Sequence, residues 1–197
     1  IIDITSPRAT EDGIALNYRA EGGSFDSYRG ALGLTGRDER GEFALNVTTI
    51  DTDGFSAAEA ADGNTESDGY STTRVSASGT LYLSETSAFS GAAFWQTDEG
   101  DYDDGPGAGG DAPNTFETET AGARLGLDFE SFDQIENSLA VTWFQLDRTQ
   151  TNAFGPFTSE GDRARIEYLG RYEVSDQWDL RFGADYMRET AETNFSA

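Results

Sequence analysis

The side chains of this sequence that could do chemistry are carboxylates. The chain has 37 Asp and Glu residues against 13 Lys and Arg, and it has neither His nor Cys. Ser-His-Asp catalysis, a cysteine nucleophile and a thiolate zinc site are therefore excluded. The formal charge of −24 argues against a nucleic-acid-binding surface, which needs a basic footprint. No pair of carboxylates stands out as the acid and base of a glycosidase, so we expect no enzyme.

The carboxylates are concentrated in two segments that contain no basic residue. The first contains Asp51, Asp53, Glu59, Asp62, Glu66 and Asp68, and the second contains Asp98, Glu99, Asp101, Asp103, Asp104, Asp111, Glu117 and Glu119. Like charges at this density repel one another unless a cation neutralises them, and Ca²⁺ is the natural candidate because it takes six to eight oxygen ligands. The stretch 101–105 resembles a calcium loop, although it is not an EF-hand, because Ala112 stands where the last ligand would be Glu. The alternative is a solvated acidic surface.

The elements that must position these loops are β-strands. Nine segments between Gly13 and Arg188 alternate apolar and polar residues, and no segment has a convincing helical period. A representative segment has Ala121, Ala123, Leu125, Leu127 and Phe129 in alternation with Thr120, Arg124, Asp128 and Glu130. The pattern predicts an all-β protein, with the strands in an antiparallel up-and-down meander.

The connections between these strands alternate in length, except that the first, around Gly22–Asp26, belongs to the long side but is short. Short turns are predicted at Asp38–Gly41, Ser84–Ser87, Ser131–Glu136 and Ser175–Gln177, and long connections at Asp51–Gly69, Asp98–Phe116 and Asp147–Gly161. Short turns at one end and long loops at the other are typical of a transmembrane β-barrel. A soluble β-domain with one wetted face is the alternative.

The composition of the apolar faces favours the barrel, because they are rich in Ala, Gly, Leu and aromatic residues, and the aromatic residues fall near strand ends. We therefore expect Leu81, Leu125 and Trp143 to face lipid. Arg74, Arg124 and Arg165 should lie on the opposite face.

Several short motifs resemble TonB-dependent outer-membrane receptors. The chain opens Ile1-Ile2-Asp3-Ile4-Thr5-Ser6-Pro7-Arg8-Ala9, and its first strand leads into Glu21-Gly22-Gly23-Ser24-Phe25. In that family the plug domain ends in a strand of the type Gly-Val-Ile-Asn/Asp-Ile-x-Thr, and the first barrel strand closes on a Gly-Ser-Phe-like turn. The similarity continues through Arg37–Gly41, Thr52-Asp53-Gly54-Phe55 and Glu66-Ser67-Asp68-Gly69-Tyr70, and it is most like the vitamin B12 receptor branch.

The resemblance implies a domain organisation and a function. Residues 1–9 would be the end of the plug, and residues 10–197 the early strands of a 22-stranded barrel, so that the chain is an internal fragment of a receptor. The receptor would lie in the outer membrane of a Gram-negative bacterium, bind cobalamin or a ferric siderophore through loops 51–69 and 98–116, and be energised by TonB. The alternatives are a small self-contained outer-membrane barrel and a secreted acidic calcium-binding β-domain.

The vitamin B12 branch also implies calcium in these early loops. The resemblance favours Asp68, Asp103 and Asp111 as ligands, with Asp53 in addition. The predicted hairpin of 70–83 and 88–97 places Asp68 at its start and Asp101, Asp103 and Asp111 beyond its end. We therefore expect these carboxylates to converge on the outer rim.

Overall fold

A computed structural model describes residue 9 and residues 11–56, 66–103, 114–132, 134–175 and 177–195. Its strands are β1 (Gly13–Gly22), β2 (Tyr28–Asp38), β3 (Gly41–Thr52), β4 (Tyr70–Ser84), β5 (Ser87–Tyr102), β6 (Asn114–Ser131), β7 (Ile135–Asn152), β8 (Gly155–Ser175) and β9 (Trp178–Phe195). The predicted plug end, 1–9, lies outside the described residues except for Ala9. The described residues form no helix, and hence none suited to crossing a bilayer.

All nine strands belong to one antiparallel sheet, and each pairs with the next strand in the sequence. The predicted fold class, an all-β up-and-down meander, is confirmed. In the described part of the chain, β1 pairs only with β2, and β9 only with β8, so both outer strands have an unpaired edge.

The register separates the sheet into two chemically different faces. Residues directly opposite one another in an antiparallel pair share a face. One row of partners runs Ile14, Gly36, Phe43, Gly79, Gly91, Leu125, Val141, Ile166 and Tyr186. We call the face with this row the apolar face, and the other the polar face.

The residues predicted to divide between the two faces do so. Leu81, Leu125 and Trp143 lie on the apolar face, and their exposed fractions are 50%, 53% and 40%. Arg74, Arg124 and Arg165 lie on the polar face, as their alternation with the apolar residues requires. Among the described residues, the buried apolar side chains are only Ala9, Ala44 and Ala140, so this sheet has almost no core of its own.

Aromatic rings packed over glycines stabilise several strand pairs. Phe43 lies opposite Gly36, Phe94 opposite Gly122, and Phe182 opposite Gly170. A Cβ added at Gly122 would lie 2.6 Å from Cε1 of Phe94, so the ring occupies the space that a side chain would take. Such pairs give a glycine in a strand the packing that it otherwise lacks.

The short turns occur where the sequence predicts them, but one long connection does not. β7 continues to Asn152 and β8 begins at Gly155, so the prediction of a long connection over Asp147–Gly161 is wrong. Near this end the apolar face carries polar residues such as Asp147, Thr149 and Glu160, and the other face carries Arg148 and Ser159. The apolar alternation therefore fades while the backbone pairing continues. For the same reason β5 and β6 extend into the predicted connection 98–116.

Candidate metal site

The acidic loops approach one another because β4 lies between β3 and β5. The chain leaves β3 after Thr52 and enters β4 at Tyr70, and β5 ends at Tyr102 on the other side. The backbone N–H of Asp101 donates to the carbonyl of Gly69 at 3.0 Å. The residues before β4 are therefore held directly against the end of β5.

A glycine with a left-handed backbone permits the close approach of the β3 end. Gly54 has a φ of +67°, and a Cβ there would overlap the carbonyl oxygen of Asp68. Only glycine adopts this conformation at no steric cost. Gly54 thus brings the segment after β3 against the segment before β4.

Three carboxylates meet where these segments join. Oxygens of Glu66, Asp68 and Asp103 all lie within 4.8 Å of one another, and the three residues are half-buried. Ser56 Oγ donates to Oδ2 of Asp103 at 3.2 Å. Both Glu66 carboxylate oxygens are buried and accept no hydrogen bond from any described residue. We call these three carboxylates the acidic triad.

The acidic triad has the geometry and charge to hold a metal ion. Oxygens bound to one Ca²⁺ at 2.3–2.6 Å lie at most about 5 Å apart, and the triad meets this limit. Two unit charges at 4.8 Å repel by about 3 kcal/mol at an effective dielectric constant of ~20. A divalent cation would convert this repulsion into attraction, and hard oxygen donors suit Ca²⁺ or Mg²⁺.

The structure brings together only some of the residues expected to bind metal. Asp68 and Asp103 belong to the acidic triad, whereas Asp111 lies outside the described residues. Asp53 and Asp101 line a neighbouring open hollow of about 600 Å³, together with Asp51, Glu99 and Glu117. Glu66 is one of the loop carboxylates, but it was not among the expected ligands. Its spacing of two residues from Asp68 is the only local signal that pointed to it.

The strand register explains why the neighbouring hollow is acidic. Asp51, Glu99, Asp101 and Glu117 all lie on the apolar face, in rows nearer the long loops than its apolar residues. The same face therefore changes from apolar to acidic as the strands run towards the long loops.

Comparison of the sequence with protein families and curated proteins identifies no related protein. The sequence matches no protein-family model, and a search of curated proteins gives no match either. The geometry of the sheet and of the acidic triad therefore carries the functional argument.

Proposed function

We propose that this chain forms part of the wall of an outer-membrane β-barrel, in a TonB-dependent receptor that imports a scarce nutrient. The observation that carries the proposal is an apolar band on one face of the sheet, which no second layer of the described residues covers. A soluble β-sandwich would bury such a face against another sheet. A barrel wall presents it to lipid.

The height of the apolar band suits a bilayer. On β6 it runs from Phe129 to Ala121, eight residue steps or about 27 Å along the strand. A strand tilted by 35–45° would cover about 20 Å of membrane with this length, near the roughly 25 Å apolar belt of such barrels.

The slant of the band is the geometry that strand tilt requires. The loop-side edge of the band is at Tyr18 on β1 and at Tyr186 on β9. The register places Thr190 of β9, not Tyr186, level with Tyr18. The edge therefore shifts by four residues between β1 and β9. The opposite edge descends further, from Ile14 on β1 to Leu180 or Trp178 on β9. Averaged over its two edges, the band shifts by about 20 Å along the strand direction across eight strand spacings of about 4.8 Å. This shift corresponds to a slope of roughly 30°. This value lies near the tilt of barrel strands.

Aromatic residues with polar tips follow this slanting edge. Tyr18, Trp95, Trp143 and Tyr186 mark the loop side of the band on β1, β5, β7 and β9. Tyr and Trp favour the level of lipid headgroups, where the ring contacts hydrocarbon and the tip contacts water. Their arrangement along the slant supports a membrane boundary there.

The unpaired edges of β1 and β9 favour a larger barrel over a self-contained one. Closure needs every edge strand to be paired, and in the described residues the two outer strands do not pair with each other. Further strands would supply the missing partners. This supports the receptor over a small barrel or a secreted calcium-binding β-domain.

In the proposed receptor the acidic loops face the exterior. They would bind Ca²⁺ through the acidic triad and order the surface that receives cobalamin or a ferric chelate. TonB would act through a plug domain, and no covalent chemistry occurs.

Spin labels can test the membrane-facing band in the full-length protein. The chain has no Cys, so a single cysteine gives a unique label. In native-like lipid vesicles, a label at Leu125→Cys should collide preferentially with oxygen. A label at Glu117→Cys, on the same strand and face but beyond the band, should collide with a water-soluble nickel complex. Equal access of the nickel complex to both positions would contradict the barrel wall.

Uptake assays test the cargo separately. A strain that depends on the receptor should take up either radiolabelled cobalamin or a radiolabelled ferric chelate, and uptake should require TonB. TonB-independent accumulation, or uptake of neither compound, would argue against an importer of these nutrients while leaving the barrel proposal intact.

A further inference from the structure

The polar face contains a hollow that differs in charge from the rest of this acidic protein. The hollow is open, has a volume of about 470 Å³ and lies where β3 to β7 pass side by side. Its polar and aromatic side chains on this face are those of Asn46, Arg74, Ser76, Ser78, Phe94, Arg124, Thr142 and Phe144. Although the chain has 37 acidic residues, no carboxylate is among the described residues that line this hollow. We call it the arginine hollow.

A second hollow on the same sheet provides the contrast. It lies towards the short turns, has a volume of about 580 Å³ and is also lined by two arginines, Arg171 and Arg181. There, Asp128, Glu130 and Glu136 line the walls as well, and Arg171 pairs with Glu136 at 3.4 Å. Arg181 pairs with Asp179 at 2.9 Å. In that hollow the positive charge is already neutralised by carboxylates of the protein.

The guanidinium of Arg74 is held in place by neutral groups. Its Nη1 donates to Oε1 of Gln96 at 2.8 Å, and its Cζ lies 4.2 Å from the centroid of the Phe94 ring. Gln96 is fixed in turn, because its Nε2 donates to Asp98 at 2.9 Å, and Tyr70 donates to the same carboxylate at 2.7 Å. Asp98 therefore orients the amide, and it is also close enough to attract the Arg74 guanidinium. The guanidinium keeps its charge and gains a defined position.

Arg124 lies on β6, one row nearer the short turns than Phe94. Its Cα partner on β5 is Ala92, while the partner of Arg74 on β4 is Gln96, so the two arginines lie on a diagonal with Phe94 between them. The ring of Phe94 packs over Gly122, which has no side chain to cover it. The Nη1 of Arg124 lies over Gly126, 3.0 Å from where a Cβ would stand, so this guanidinium extends towards the short turns. The hollow therefore offers one cationic group beside the Phe94 ring and a second further along its wall.

We infer that the arginine hollow binds an anionic group attached to a flat apolar body, that is, an aromatic carboxylate or an aryl phosphate. Guanidinium groups recognise both anions through paired N–H donors, and their bonds to charged acceptors are stronger than neutral ones. Phe94 and Phe144 would contact the ring of the ligand. The inference goes beyond the proposed transport function, because it depends on this face of the sheet and not on membrane insertion.

The test uses phenyl phosphate and benzoate as probes, with uncharged benzyl alcohol as the reference. Binding to the full-length protein in detergent is measured by ligand-detected NMR, and we expect dissociation constants of about 1 mM for the anions. The double variant Arg74→Gln/Arg124→Gln should weaken the binding of both anions at least tenfold. The matched control Arg171→Gln/Arg181→Gln removes the same charge from the neutralised hollow. It should change the dissociation constants of the anions less than twofold. The relative affinity of phenyl phosphate and benzoate identifies which anion the hollow favours.

Equal weakening by the two double variants, or benzyl alcohol binding as tightly as the anions, would overturn the inference. A measurement on the unaltered protein guards against a variant that does not fold. Phenylglyoxal modifies accessible arginines, and mass spectrometry locates the adducts. Phenyl phosphate should protect Arg74 and Arg124 selectively over Arg171 and Arg181. Protection of all four to the same extent, or of none, would also overturn the inference.

Discussion

Glu66 is the residue on which the acidic triad depends most directly. Its two carboxylate oxygens are buried and accept no hydrogen bond from the described residues, although they lie near Asp68 and Asp103. A buried charge without compensation is costly. A bound cation would compensate this charge, and this gives a prediction of opposite sign with and without metal.

Replacing Glu66 by Gln should affect thermal stability in two directions. In a chelator, Glu66→Gln should raise the melting temperature of the full-length protein, because it removes the repulsion within the triad. In several millimolar Ca²⁺ it should lower the melting temperature relative to the unaltered protein, because the affinity, about 10⁻⁴–10⁻³ M in extracellular modules, falls at least tenfold. Glu39→Gln removes the same charge at the opposite end of the sheet and should show neither effect. A calcium response that Glu66→Gln leaves unchanged would argue for a solvated acidic surface.

The glycines beneath aromatic rings give a second prediction at the scale of one residue. Gly122→Ala should destabilise the protein by about 1–3 kcal/mol, because the new Cβ would lie 2.6 Å from the Phe94 ring and force it to move. Gly161→Ala is the control, since the nearest atom to its Cβ would be the carbonyl oxygen of Thr190 at 3.9 Å. Denaturant unfolding of the full-length protein would measure both. Equal effects at the two positions would mean that Phe94 does not depend on Gly122.

At the scale of the strands, the sequence is informative where the two faces differ in polarity. Leu125 beside Arg124 predicts a strand and assigns each side chain to a face, and the register confirms the assignment. Beyond the apolar band, Thr149 and Gln150 are both polar, so alternation no longer distinguishes a strand from a loop. The continuation of β7 and β8 depends on backbone pairing, and side-chain polarity does not predict that pairing. The hairpin pattern also predicts that Asp68 and Asp103 lie close together, and they do. Glu66 was missed because it lies before β4, outside the alternating pattern, where side-chain polarity does not reveal the path of the backbone.

The apolar band makes a prediction that depends on depth. Leu125→Arg should cost roughly 2–4 kcal/mol in lipid vesicles, the penalty for a charge near the bilayer midplane. Glu117→Arg, on the same strand and face but beyond the band, should cost about 0–1 kcal/mol. Unfolding of the full-length protein in guanidinium would compare them. Similar costs at the two positions would argue against a lipid boundary between them.

At the scale of the whole molecule, the two free edges decide whether the described sheet is stable by itself. Strands β1 and β9 each have one unpaired side, and the sheet buries almost no apolar side chains in its described part. Unpaired edges are templates for pairing with another chain. In lipid they are costlier still, because no water satisfies their backbone groups. In the proposed receptor, stability would come from the further strands that complete the barrel.

Residues 1–197 expressed alone should consequently fail to form a closed monomeric barrel. In detergent the segment should aggregate, or pair edge to edge into oligomers, and sedimentation should give masses above the 21.3 kDa of one chain. In the proposed full-length receptor further strands would cover both edges, so that protein should remain monomeric and resist unfolding. Replacing Leu16 of the edge strand β1 by Lys should reduce aggregation of the segment, because charges on an edge oppose pairing between chains. The same change should destabilise the full-length barrel, where Leu16 lies within the apolar band. A sharp two-state melt of the monomeric segment would contradict the proposal that it is a fragment of a larger barrel.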